Sequence, residues 1–219
     1  TVWTRTYGGK NYDWGEAVVQ TSDGGFLIVG GTKSFGSVGT DVWLIRTDSS
    51  GDTLWTRTFG GKGEDWAEEV AQTADGGFII PGWTNSTPNG DFDALLIRCD
   101  ASGNIVWSRT YGGPRDDAAK SVQCTVDGGF FVAGLTKSFG AGSSDVWIIR
   151  ANQAGDTLWT RTFGGPGFDM AFCVSRTSDN GFAVVGRAQP SGLHYGNLWS
   201  LRMDSLGDTL WARSYGGKA

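Results

Sequence analysis

Tryptophan returns at Trp3, Trp55, Trp107, Trp159 and Trp211, each time after 52 residues. The surrounding phrase returns with it. Gly51-Asp52-Thr53-Leu54-Trp55-Thr56-Arg57-Thr58-Phe59-Gly60-Gly61 reappears over 155–165 and, more loosely, over 103–113 and 207–217. The 219-residue chain therefore reads as one domain of four 52-residue repeats (3–54, 55–106, 107–158 and 159–210), without insertion, plus a surplus copy of one segment. A period in this range marks a solenoid, a propeller or an array. It also implies that residues occurring four times serve structure, and that function is to be sought where the copies differ.

The second copy shows the local plan. Residues 67–73 read as a short first strand. Ala74-Asp75-Gly76-Gly77 is a hairpin turn, since Gly supplies the positive φ such turns need. Residues 78–84 form a second apolar run, 94–98 a third, and 105–111 a fourth after the turn at 100–104. No segment shows helical periodicity. The middle strands, such as Phe26-Leu27-Ile28-Val29 and Val42-Trp43-Leu44-Ile45, are apolar at consecutive positions, so these sheets are covered on both faces. The expected fold is all-β: a β-propeller of four blades, each of four antiparallel strands. Half of an eight-bladed ring, or a segment of a longer array, is the alternative; an open solenoid is the runner-up.

Composition narrows the partners. A net charge of −5 argues against nucleic acid and anionic membranes, which select clustered Lys and Arg. No apolar run is long enough to insert in a membrane. The chain does not start with Met and shows no signal peptide, so it reads as a mature or excised segment. Cys99, Cys124 and Cys173 fall at three different phases of the repeat, unlike a disulfide framework, and read as incidental small residues.

Asp-Gly-Gly-Phe at 23–26, 75–78 and 127–130, Leu-Ile-Arg, Gly-Asp-Thr-Leu-Trp and Arg-Thr-Phe/Tyr-Gly-Gly together resemble the long-blade propeller repeats of secreted and surface proteins of bacteria and archaea. The fourth copy departs at Asp179-Asn180-Gly181-Phe182 and at 191–195. The resemblance spans the chain. It implies an extracellular or cell-surface module, often part of a larger protein, with no catalytic residues.

Several candidate sites follow. Asp13, Asp65, Asp117 and Asp169 would ring a channel mouth, and converging oxygens suit Ca²⁺. The competing reading pairs each with one of Arg46, Arg98, Arg150 and Arg202, which end apolar strands and need partners. No resident cofactor is expected otherwise. Tyr12, Trp14, Trp66, Phe92, Phe168, His194 and Tyr195 vary between copies on the same expected face, where rings stack on sugars or fill protein interfaces. The periodic tryptophans, with Trp43, Trp147 and Trp199, read as core. Asn85-Ser86-Thr87 is a glycosylation sequon at Asn85. Asp-Thr-Leu tripeptides weakly match bacterial O-glycosylation sites and equally fit turn-to-strand structure.

No paired His, Cys or Glu spacing suggests zinc, and the lone His194 lies in no nucleophile motif, so no enzyme is expected. The surplus segment, with Val2, Trp3 and Tyr7, is a candidate for assembly. The reading is a non-enzymatic, extracellular structural or interaction module whose partners are protein subunits, in a homo-oligomer or filament. A carbohydrate-binding propeller that takes glycans is the alternative, and a hydrolase domain the weaker one.

Overall fold

The computed structural model describes residues 1–87, 91–189 and 196–216. Strands and turns make up these residues, arranged as four antiparallel sheets. The first holds β1 (Asp13–Gln20), β2 (Phe26–Thr32), β3 (Asp41–Thr47) and β4 (Thr53–Phe59). The second holds β5 (Asp65–Ala67), β6 (Ala71–Gln72), β7 (Phe78–Thr84), β8 (Asp93–Cys99) and β9 (Ile105–Tyr111). The third holds β10 (Asp117–Cys124), β11 (Phe130–Thr136), β12 (Asp145–Ala151) and β13 (Thr157–Phe163). The fourth holds β14 (Met170–Arg176), β15 (Phe182–Ala188), β16 (Asn197–Met203) and β17 (Thr209–Tyr215). Strand starts recur at the 52-residue step, as the sequence predicts. Two departures occur: β14 starts one residue late, at Met170, and the first strand of the second sheet is split into β5 and β6. Pro81 in the facing strand has no N–H to give, so the ladder is interrupted between Ala67 and Ala71.

The chain forms two compact units, Thr1–Tyr111 and Gly112–Ala219. In the first, Leu27, Val29 and Leu44 pack with Phe78, Ile80 and Ile97 in one core. In the second, Phe131 stacks on Phe182 at 3.9 Å, among Ile148, Val184 and Leu201. The middle strands β3, β8 and β12 are buried along their whole length, which is why they carry no alternation. The fourth sheet is barer: Phe172, Val185 and Leu198 are exposed, and β17 is exposed throughout. Trp211, read from the pattern as core, is 40% exposed. It sits on an outermost strand with no further strand described beyond it.

A brace repeats in every sheet. At the first hairpin Thr21 Oγ1 donates to Asp23, and the turn closes through Gly24 at φ 84°. The matching residue in the fourth sheet is Asn180 at φ 63°, a side chain that tolerates the left-handed region better than most. Arg46 then reaches from β3, and its Nη2 lies 2.6 and 2.5 Å from the two Asp23 oxygens. Arg98–Asp75, Arg150–Asp127 and Arg202–Asp179 repeat the pair. The expected pairing of these arginines with Asp13, Asp65, Asp117 and Asp169 is therefore wrong. The turn aspartates lie beside the Arg-bearing end of the third strand, while the Asp13 series starts the first strand opposite Thr32, Thr84 and Thr136. Each Arg also donates to the backbone carbonyl of the residue after it, as Arg98 does to Cys99.

The two candidate outer strands at the chain ends have different fates. β17 pairs with β16 and completes the fourth sheet. Residues 1–7 form no strand and join no ladder.

Candidate functional site

Each carboxylate of the Asp13 series closes its own loop. Asp13 accepts from Thr32 Oγ1, Ser34 Oγ and the Gly9 amide. Asp65 accepts from Thr84, Ser86 and Gly61 in the same way. Asp117 holds Ser138 and the Gly113 amide, and Asp169 holds the Gly165 and Gln189 amides. Burial pushes the Asp13 pKa up, but hydrogen bonds from Thr32, Gly9 and Ser34 outweigh it and hold the pKa below its ordinary value. Among the described residues no group of three or more His, Cys, Asp or Glu side chains is arranged to hold a metal ion.

The variable aromatics behave differently. Four of those picked from the sequence come together in the first unit, joined by one that the sequence reading passed over. Tyr12 lies 5.3 Å from Trp14, and Trp14 lies 4.5 Å from Trp66. Trp66 stacks on Trp83 at 5.1 Å and 16°, and Trp83 meets Phe92 edge-on at 4.9 Å. Local structure explains the row. Trp14 and Trp66 occupy matching places at the starts of β1 and β5, and cross-strand pairing sets Trp66 opposite Trp83. Trp14 faces Gly31, and the missing side chain there leaves room for the indole. Tyr12 caps the row and is 70% exposed. The Trp14 and Trp66 Nε1 atoms are buried and have no hydrogen-bond acceptor. Trp83 Nε1 donates to Glu68 at 3.0 Å.

Trp83 stands where the other copies have Gly31, Leu135 and Arg187, a difference that could have flagged it. Among the described residues the second unit has no such row: Asp116 and Ala118, then Phe168 and Met170, take the places of Tyr12 and Trp14. Phe168 lies instead under the Arg187 guanidinium at 5.6 Å. His194 and Tyr195 lie outside the described residues.

Asn85 is exposed, and its Oδ1 accepts from the Glu64 amide. Cys99 is buried in the core, and burial pushes its thiol pKa up to about 12. Cys124 is half-buried and Cys173 exposed, and none of the three cysteines is in a disulfide.

The N-terminal segment is seated in a specific way. Trp3 packs on Gly51 and edge-on to Phe26 at 5.9 Å, and its Nε1 donates to Ser49 O. Tyr7 donates its hydroxyl to Gly51 O at 2.6 Å, and Arg5 pairs with Asp52 at 3.1 Å. These contacts reproduce those made by true outer strands. Trp55 of β4 packs on Gly103, and Arg57 donates to Ser102 O. Trp159 of β13 packs on Gly207, and Arg161 pairs with Asp208 at 2.9 Å. Residues 1–7 thus occupy an outer-strand seat without a sheet of their own. Val2 is 98% exposed.

No protein-family model matches the chain. Over 182 residues it is 27% identical to the regulatory protein FlaEY of Caulobacter vibrioides, covering 77% of this chain and 17% of that protein. The chain thus spans less than a fifth of that relative. Among solved structures it resembles the Pan2 WD40 domain of Neurospora crassa, with a TM-score of 0.54 and 12% identity, over 92% of this chain and 66% of that one. A crystal structure of a eukaryotic initiation factor aligns at a TM-score of 0.41 and 9% identity, over 92% of this chain and 55% of that one. The four antiparallel sheets and the WD40 likeness establish the fold: this is an all-β chain of β-propeller blades, one blade per 52-residue repeat.

Proposed function

We propose that the chain is a non-enzymatic protein-interaction module of an extracellular or surface protein, and that it associates with further copies of itself through its N-terminal segment. One observation carries this reading. Residues 1–7 hold an outer-strand seat through Trp3, Arg5 and Tyr7, yet their backbone joins no ladder. An unpaired strand edge is a template for another chain. Covering Val2 and the open side of Trp3 would add roughly 2 kcal/mol for each side chain fully removed from water. Deleting residues 1–8 should lower the oligomeric state in sedimentation velocity and leave the thermal transition in place. If deleted and parent chains sediment as the same monomer, the segment has no part in assembly.

The aromatic row favours a second reading, in which the first unit binds glycans on the Tyr12 side. Aromatic faces stack on sugar rings through their apolar area. Glycan-array signals abolished by Tyr12→Ala would support it, and an array without signal would remove it.

A further inference from the structure

The first and third copies each set a buried tryptophan against a more exposed phenylalanine at one end of the blade. Phe35 lies 5.3 Å from Trp43, and Phe139 lies 5.6 Å from Trp147. Both tryptophans are nearly inaccessible, at 6% and 4% exposure. In each pair the Phe ring reaches the glycine loop before the blade. A Cβ placed at Gly9 would lie 3.1 Å from Phe35 Cζ, and one at Gly113 would lie 3.4 Å from Phe139 Cζ. The second copy has neither ring. Thr87 stands in the place of the Phe and Leu95 in the place of the Trp. At Gly61 a Cβ would meet only Ser86, so the space over this loop is not closed by a ring.

The result is a cleft of about 430 Å³ inside the first unit, whose apolar wall is Phe59, Leu95, Ile97 and Ile105 and whose remaining lining is glycine and mostly hydroxyl-bearing side chains, Thr58 and Thr87 among them. Ile105, 50% exposed, lies on its open side. Here too the second copy differs, since the matching residues are Thr53, Thr157 and Thr209. Three departures from the repeat therefore meet in one place. Two remove aromatic volume and the third adds an aliphatic wall. The fourth copy shows the usual filling of the same inter-blade space: Trp199 of β16 lies 6.0 Å from Phe163 of β13, where the second blade sets Leu95 near Phe59.

We propose that this cleft takes an aromatic side chain, a tryptophan above all, from a protein partner of this chain. The proposal rests on the interaction-module reading and names the pocket that such a partner would use. The other copies show what the space accommodates, because their own indole rings fill it. An apolar cavity lined by Leu, Ile and Phe accepts an aromatic ring readily when the protein no longer supplies one. A single aromatic anchor in a desolvated pocket is the usual centre of a protein interface. The flanking hydroxyls of Thr58 and Thr87 offer oxygen acceptors for an indole N–H at the rim. Asp65, also on the cleft wall, is already engaged by Thr84 and Ser86, so no charged ligand is called for.

The test uses indole and N-acetyltryptophanamide as probes, with binding followed by NMR shifts of the Leu95 and Ile97 methyl groups. Parent protein should bind with a dissociation constant on the order of a millimolar, as expected for a fragment of this size. Leu95→Trp restores the ring found in the other copies and should weaken binding at least tenfold while raising the melting temperature. If Leu95→Trp fails to fold, Thr87→Phe closes the same cleft from the other wall and should give the same loss. Absence of methyl shifts in the parent, or equal binding by a folded filled variant, would overturn the proposal. Shifts produced by a neutral monosaccharide and not by indole would overturn it as well. Self-association in sedimentation is a separate readout, so failure here would leave the assembly reading standing.

Discussion

Replacing Arg98 by Leu lowers the free energy of unfolding by about 3 kcal/mol, read from the urea midpoint at constant slope. Arg98 is 5% exposed and ends an otherwise apolar strand. Its guanidinium serves three acceptors: the Asp75 carboxylate, Phe78 O and Cys99 O. Leucine fits the apolar surroundings but donates nothing. Asp75 is largely solvated and can turn to water, so most of the loss comes from the carbonyls and from the charge-assisted bonds themselves. The effect stays within a few kcal/mol for that reason. Arg46, Arg150 and Arg202 hold the same positions, and their Leu variants should lose comparable amounts. An unchanged midpoint for Arg98→Leu would mean that the brace contributes nothing to stability.

Acid should act on all four braces at once. Asp23 is held down to about 2, foremost by the Thr21 hydroxyl, then by the Gly25 amide and by Arg46. Asp127 is likewise held down to about 2, foremost by Thr125, with Arg150 and Gly129 contributing. Asp75 and Asp179 are lowered too, with Thr73 and Thr177 as the leading causes. A depressed folded-state pKa means stability that is present above the unfolded value of 3.8 and lost as pH falls through the folded value. Chemical denaturation should therefore show stability level above about pH 5 and falling steeply from about pH 4 to pH 2. The Thr73→Val variant should lose less across that window, because its Asp75 is less depressed to begin with. A stability curve that stays level from pH 5 to pH 2 would show that these carboxylates titrate alike in the folded and unfolded chain.

Periodicity made the architecture legible. A fixed 52-residue step and consecutive apolar positions led to four sheets with strand starts in register. The same periodicity hid the brace. Asp13 and Asp23 both recur in all four copies, and spacing alone cannot say which of two equally regular carboxylates an Arg reaches. Hairpin geometry decides it, because the turn after the first strand lies beside the end of the third. Tyr12, Trp14, Trp66 and Phe92 were recognisable as differences between copies, but Trp83 looked like one more strand residue until cross-strand pairing set it opposite Trp66. The cleft was readable as the loss of a Trp at Leu95 and of a Phe at Thr87. A missing ring leaves no residue to mark it, and only the folded blades show that positions 87 and 95 face one space. The surplus segment was recognisable, but which of the two copies pairs was not: β17 follows β16 through a short turn and pairs with it, whereas residues 1–7 join no ladder.

In the proposed assembly the backbone of residues 2–7 is an open edge that takes a strand from another copy. Amide hydrogen exchange of these residues, followed over a hundredfold range of protein concentration, tests it most directly. Fast exchange in dilute solution and alternating protection along residues 2–7 as concentration rises are expected, while β2 and β3 stay protected throughout. Exchange at residues 2–7 that is the same at every concentration would contradict it.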